Sequence, residues 1–163
     1  MSLSSCGKSN QTAAAAEDNA IVAEDTVSTV YFIKDITPES LVKIYEALGV
    51  PADSAANVAV KISTGESMKS NHLSPELIAP LVNKLNGTLV ECNTAYAGNR
   101  RYTADHLKAV ADHGYTAIAK VDIMDADGDT IIPIEGGKHL TYDIVGKHLM
   151  DLSLIHISEP TRL

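Results

Sequence analysis

Apolar and polar positions alternate between two periods from Val27 to Leu149. Short β-branched runs at Thr29–Ile33, Val58–Ile62, Thr88–Cys92 and Ala117–Val121 predict strands. Between them, apolar residues recur at helical spacing: Leu41, Ile44, Tyr45 and Leu48, then Leu77, Leu81 and Leu85, then Leu107, Val110 and Ala111. Thr37-Pro38-Glu39 and Ser74-Pro75-Glu76 are matching helix starts, with an N-cap hydroxyl, Pro at the first helical position and an acid in the first turn. Thr103-Ala104-Asp105 caps the third helix, and Gly49, Asn86-Gly87 and Gly114 mark the stops. Pro80 predicts a kink, because it lies beyond the first turn and lacks an N–H. Thr130–Ile132 predicts a short strand after an Asp-Gly turn. Ile144, Val145, His148 and Leu149 predict one more helix.

The order β-α-β-α-β-α-β implies an α/β fold over residues 27–151. A mostly parallel sheet with helices on both faces follows, Rossmann-like and three-layered, incomplete at the C-terminus. The apolar run at Val58–Ile62 fits a strand buried on both faces.

Composition narrows the function classes. The 163 residues suffice for one domain with a core, and 45% hydrophobic with 21% charged residues is ordinary for a globular chain. With no Trp and one Phe, aliphatic residues must fill that core. The net charge of -8 argues against nucleic acid as a partner, since neutralising phosphates needs a basic surface. No run is long and apolar enough to span a bilayer. Two cysteines, Cys6 and Cys92, make neither a disulfide framework nor a four-cysteine metal site.

The two ends read differently from the middle. Leu3-Ser4-Ser5-Cys6 resembles a bacterial lipobox, in which the cysteine is lipidated after cleavage, and residues 1–26 read as a polar, Ala-rich tether. A signal also carries a basic start and an apolar segment, which the two residues before Leu3 do not supply. Either Cys6 anchors the protein to a membrane outside the cytoplasm, or it is incidental and the protein is cytoplasmic. Leu152–Arg162 resembles the translation of a transposase-type sequencing adapter, so residues 152–163 are expected to be non-native.

Candidate chemistry follows from topology. In a parallel sheet the loops after the strands gather at one edge. Lys61 with Glu66, Cys92 with Asn93 and Thr94, Arg100 with Arg101, and Asp122 with Asp125 should therefore converge there. Either arginine could grip a carboxylate or phosphate through two donors. Lys61 could bind an anion, lower the pKa of Cys92, or pair structurally with Glu66 or Glu91. Cys92 is a nucleophile on one reading and a small buried hydrophobe on the other. Asn93 and Thr94 serve either ligand or loop backbone. Asp122–Asp129 looks like a calcium loop but fails on spacing, since aligning Gly128 puts Ile123 and Ile134 at ligand positions. Asp122 and Asp125 are thus metal candidates set against solvated turn carboxylates. His139, after Gly136-Gly137, is a ligand candidate, while His72 and His106 read as surface residues.

Several stretches carry a family resemblance. Lys34–Glu39, Val58–Glu66 (VAVKISTGE), Glu91–Tyr96 (ECNTAY) and Gly136–Leu149 (GGKHLTYDIVGKHL) resemble the bacterial family called domain of unknown function 362, whose members are often labelled Fe–S center proteins. The resemblance covers Val27–Met150. It implies a larger redox-linked parent protein whose iron–sulfur cluster sits in a cysteine-rich segment elsewhere, with no cofactor held by these residues. The cluster at the strand ends and the resemblance together suggest an α/β domain binding a small anionic ligand or metal-bound substrate. A cysteine-dependent enzyme using Cys92 and a non-catalytic tethered lipoprotein are the alternatives.

Overall fold

The computed structural model describes residues 29–49, 57–67 and 69–152, and the backbone of 154–157. The chain divides after Val30, and the fold is that of Tyr31–Leu163. Cys6 and the lipobox lie outside the described residues.

The two Pro-led helices start where their signals place them, but of the two N-cap hydroxyls only that of Thr37 caps its helix, while that of Ser74 donates to Glu76. In α1 (Pro38–Ala47) the Thr37 hydroxyl accepts the Ser40 N–H at 3.1 Å. In α2 (Pro75–Leu85) Pro80 stays inside the helix, and Asn86 closes it in the left-handed conformation at φ 48°. Helix α3 spans Thr103–Asp112, with Tyr102 and not Thr103 at the N-cap.

Strands β1 (Val58–Lys61), β2 (Thr88–Glu91), β3 (Val121–Ile123) and β6 (Leu154–Ile157) form one parallel sheet in the order β3-β2-β1-β6. β4 (Asp129–Pro133) and β5 (Tyr142–Gly146) form a separate antiparallel hairpin. The protein is a mixed α/β domain with a parallel sheet, as the sequence predicts, and is consistent with a Rossmann-like fold.

Alternation along the strands sorts the core into two layers. Val58, Val60, Ile62 and Leu89 pack with Tyr45 of α1, Ile78 and Val82 of α2, and Val110 of α3. On the opposite face Ala59, Val90 and Met124 pack against Cys92, Leu149 and Leu152. That second face is covered by a 3-10 helix, Lys147–Asp151. The connections β1-α2-β2 and β2-α3-β3 therefore run over the first face. The chain from β3 to β6 runs over the second, so β1 has neighbours reached by crossovers on opposite sides.

Three elements differ from the sequence reading. Residues 29–33 form no strand, leaving Val30 and Phe32 exposed, because β propensity needs a neighbouring strand to pair with. The run at 117–121 is a 3-10 turn at Tyr115–Ala117, with the strand starting only at Val121. Residues 144–149 are the end of β5 followed by the 3-10 helix; hairpin pairing with β4 overrides the helical spacing. Gly146 is needed at that junction: a Cβ there would lie 2.7 Å from the Met124 carbonyl carbon and 2.8 Å from the Asp125 nitrogen. The stretch read as adapter-derived contains β6, which pairs with β1 from Val58↔Leu154 to Lys61↔Ile157.

Leu89 is fully buried in the first layer, whereas Phe32 is 87% exposed. Leu89→Ala should cost about 3 kcal/mol in urea unfolding, and Phe32→Ala less than about 0.5 kcal/mol. Equal losses would mean that this layer is not the core.

Candidate functional site

The C-terminal ends of β1 and β2 carry a buried polar network centred on Glu91. Glu91 ends β2 on the helix-covered face, where it is only 7% exposed. Its Oε2 accepts the Thr64 N–H at 2.9 Å and the Thr64 hydroxyl at 2.7 Å. His106 Nε2 lies 3.1 Å from the same oxygen. The Arg100 guanidinium donates to Oε1.

Arg100 is itself buried and spreads its fork over several partners. Nε donates to Glu66 Oε1 at 2.8 Å, Nη1 also to Ser63 Oγ at 3.1 Å, and Nη2 to the Tyr96 hydroxyl at 2.6 Å. The Asn99 backbone N–H donates to the other Glu66 oxygen at 2.9 Å, and the Asn99 side chain donates to the Glu66 carbonyl at 2.6 Å. Gly98 is required here, because a Cβ would run into the Glu66 carboxylate. The Thr94 N–H donates to the Arg100 carbonyl at 2.9 Å and closes the loop. Asn93 ties the network outward: Oδ1 lies 3.2 Å from His106 Nδ1, and Nδ2 donates to Thr103 Oγ1 at 2.9 Å. Below it, His113 Nδ1 donates to the Thr64 carbonyl at 2.6 Å and its ring stacks on His72 at 4.1 Å. No buried side-chain nitrogen or oxygen among the described residues lacks a partner.

The electrostatics follow. Burial pushes the Glu91 carboxyl up, but hydrogen bonds from His106 and Thr64 and the charge of Arg100 outweigh it, leaving it below its ordinary value. Glu66 is likewise lowered, with burial opposed mainly by Arg100. Arg100 is raised despite burial, through Glu66 and Glu91.

The sequence candidates divide between the two faces. Glu66, Asn93, Thr94 and Arg100 belong to this network. Arg101 is exposed at its margin, its guanidinium 5.4 Å from the centre of the Tyr102 ring. Lys61 and Cys92 alternate to the second face, where Cys92 packs with Ala59, Val90 and Met124. Burial, then Asp125 and Glu91, push the Cys92 thiol up, while Lys61 pulls it down; the net is a raised pKa. An activated nucleophile needs the reverse. Asp125 accepts the Asn93 N–H at 2.8 Å. Asp122 sits within β3 and lies 2.8 Å from His148 Nδ1, with Asp127 at 2.9 Å from Nε2; these carboxylates hold His148 above its usual pKa. Asp122 and His148 line a cavity of about 300 Å3 with Val58, Thr88 and Lys120, at the N-terminal ends of the strands and so at the opposite edge from the network. His139 lies in the exposed hairpin loop. Among the described residues no three His, Cys, Asp or Glu side chains gather to hold a metal. An iron–sulfur cluster needs about four thiolates, and the chain's two cysteines do not fit one.

Sequence reasoning passed over His106, which is fully buried and not a surface residue, and His72, which is half-buried. The signal was present: His106 precedes Ala109 by three and Val110 by four, on the stripe that α3 buries.

A parallel α/β domain with its polar network at the strand C-terminal ends is the class these observations define. The family model described as domain of unknown function (DUF362) matches residues 58–159, more than half of the chain. The chain belongs to that family. The match starts downstream of Lys34–Glu39 and continues through β6. Comparison with curated proteins and with solved structures finds no match to this chain.

Glu91→Gln should cost about 3 kcal/mol near neutral pH, because it removes the more buried of the two carboxylates that neutralise Arg100 and leaves only Glu66. The lowered folded pKa means that the carboxylate's contribution is complete above the ordinary value of 4.5 and is lost as pH falls through the folded value. Urea midpoints measured against pH should therefore fall more steeply below pH 4.5 for the native chain than for Glu91→Gln. Glu66, also lowered, leaves a residual slope. Identical slopes would show that folding does not lower the Glu91 pKa.

Proposed function

We propose that the domain binds a small anionic ligand, or a metal-bound substrate, at the C-terminal ends of β1 and β2, as part of a larger redox-linked protein of the Fe–S-center type. The reading rests on one observation above the rest: the Glu66–Arg100–Glu91 network sits beside β1, the strand whose neighbours are reached by crossovers on opposite faces. Open α/β sheets take ligands in the crevice at that point. Arg100, Glu66, Asn93 and Thr94 hold the rim in shape, while Arg101 at its margin supplies positive charge to the ligand and Lys61 adds to it from the second face at the same strand-end edge. An internally paired rim suits binding, since its groups need no reorganisation when the ligand arrives. The raised Cys92 thiol favours this reading over a cysteine-dependent enzyme.

Calorimetric titration of the full chain with inorganic phosphate tests the anion site. Arg101→Ala should weaken binding at least tenfold, about 1.4 kcal/mol, with the fold intact because Arg101 is exposed. Lys61→Ala should weaken it in the same direction. No binding, or equal binding by both variants, would overturn the site.

The redox half has a separate test. A parent protein that joins this domain to a cysteine-rich segment, purified without oxygen, should contain iron and show a visible cluster absorption. A colourless, iron-free product removes the redox link and leaves the anion site standing.

A further inference from the structure

His148 stands between two acids. Its Nδ1 lies 2.8 Å from Asp122 Oδ1, and its Nε2 lies 2.9 Å from Asp127 Oδ2. A carboxylate only accepts, so bonding both acids takes a proton on each ring nitrogen. A neutral imidazole carries one N–H and turns a lone pair toward the second acid. The ring therefore holds both carboxylates only as the imidazolium. Other charged groups surround it without bonding it. Lys120 lines the same cavity, Asp125 in the turn accepts the Asn93 N–H, Asp129 opens β4, and Lys147 and Asp151 lie on the ring's own helix.

The three residues come from three segments. Asp122 is in β3, Asp127 is in the turn that leads to β4, and His148 is in the 3-10 helix Lys147–Asp151 that covers the second face. That helix is otherwise tied down by short-reach bonds. The His148 N–H donates to the Met124 carbonyl and the Lys147 N–H to the Gly128 carbonyl, both at 3.0 Å, and Asn57 Nδ2 donates to the Asp151 carbonyl at 2.9 Å. Its Leu149 packs on the layer of Ala59, Val90, Met124 and Cys92. Whatever holds His148 thus holds the cover over that layer.

We propose that His148 is a proton-operated latch on the cover of the second face. Doubly protonated, the ring ties the helix to β3 and to the turn at once. When it loses one proton to solvent, it keeps one acid and releases the other. Asp122 is 23% exposed and Asp127 73%, so the remaining proton stays on Nδ1 with the less solvated acid, and the Asp127 bond is the one that goes. The hydrogen bonds to Asp122 and then Asp127 hold the ring above its ordinary value of 6.5. The latch is therefore closed below pH 6.5 and opens as pH rises through the folded value.

Hydrogen exchange of the full chain, followed by NMR, reads the latch. Protection factors, which correct for the pH dependence of exchange itself, should fall about tenfold for the Lys147 and His148 amides between about pH 6 and about pH 9, while that of the Ile62 amide in the first layer holds. Asp127→Asn should abolish the fall, because its amide accepts from the protonated ring nitrogen and donates to the deprotonated one. The fold should tolerate that change, since Asp127 is mostly in water. His148→Gln should leave both amides poorly protected at every pH. Protection independent of pH in the native chain, or Asp127→Asn titrating as the native chain does, would overturn the proposal. Should His148→Gln disturb the fold, Asp127→Asn decides alone: a flat profile supports the latch, and a native profile rejects it.

Discussion

The carboxylate of Glu91 is the constraint on which this architecture turns. An ionised group taken out of water costs several kcal/mol unless its oxygens are met by donors and an opposite charge. Glu91 stands at the end of a strand packed between two apolar layers, so its donors must come from the neighbouring chain segments. Thr64 comes from the loop after β1, Arg100 from the loop after β2, and His106 from α3. One carboxylate thereby ties the loop after β1 to the loop and helix that follow β2. The small residues nearby answer to it too. Gly98 lets the loop lie against Glu66, and Gly65, at φ 84°, has Ser70 Oγ only 2.6 Å from where a Cβ would sit.

This arrangement separates two kinds of chemistry that the linear sequence lists side by side. Glu91 and Cys92 are adjacent, yet alternation sends the acid to the helix-covered face and the thiol to the other. The polar face is satisfied internally and is stiff as a result. The thiol face is a thin apolar layer beneath a single 3-10 helix. Burial, and after it the charges of Asp125 and Glu91, oppose formation of a thiolate, so proximity to Lys61 does not amount to activation.

How much could be read beforehand depends on the range of the interaction. Helix starts and stops are local, and Thr37, Pro38, Ser74 and Asn86 announced α1 and α2 correctly. Strand pairing is not local. Residues 29–33 have strand composition but no partner, while Tyr142–Gly146 has apolar positions at helical spacing but a partner in β4. Leu154–Ile157 illustrates the same point in reverse. A parallel ladder is made by backbone groups, and an edge of β1 with unpaired N–H and C=O groups accepts a β-competent run whatever its side chains. At the site, Glu66, Asn93, Thr94 and Arg100 were legible because topology gathers strand-end loops. His106 was missed because its partner, Glu91, comes from another element and only the helical stripe hinted at its burial.

The paired arginines show why residue type alone does not assign a role. Both carry a planar fork of five donors. Arg100 gives its donors to Ser63, Glu66, Glu91 and Tyr96, and it is raised in pKa by the two acids around it. Its guanidinium thus works as a clamp within the protein, and loss of it strands two carboxylates. Arg101, one residue on, turns outward over Tyr102 and keeps its fork in solvent. A loop that places one arginine inward and the next outward can hold its own shape and present a cation at once. That division puts the burden of recognition on the residue whose removal the fold should tolerate, so binding and stability can be separated by experiment at this pair.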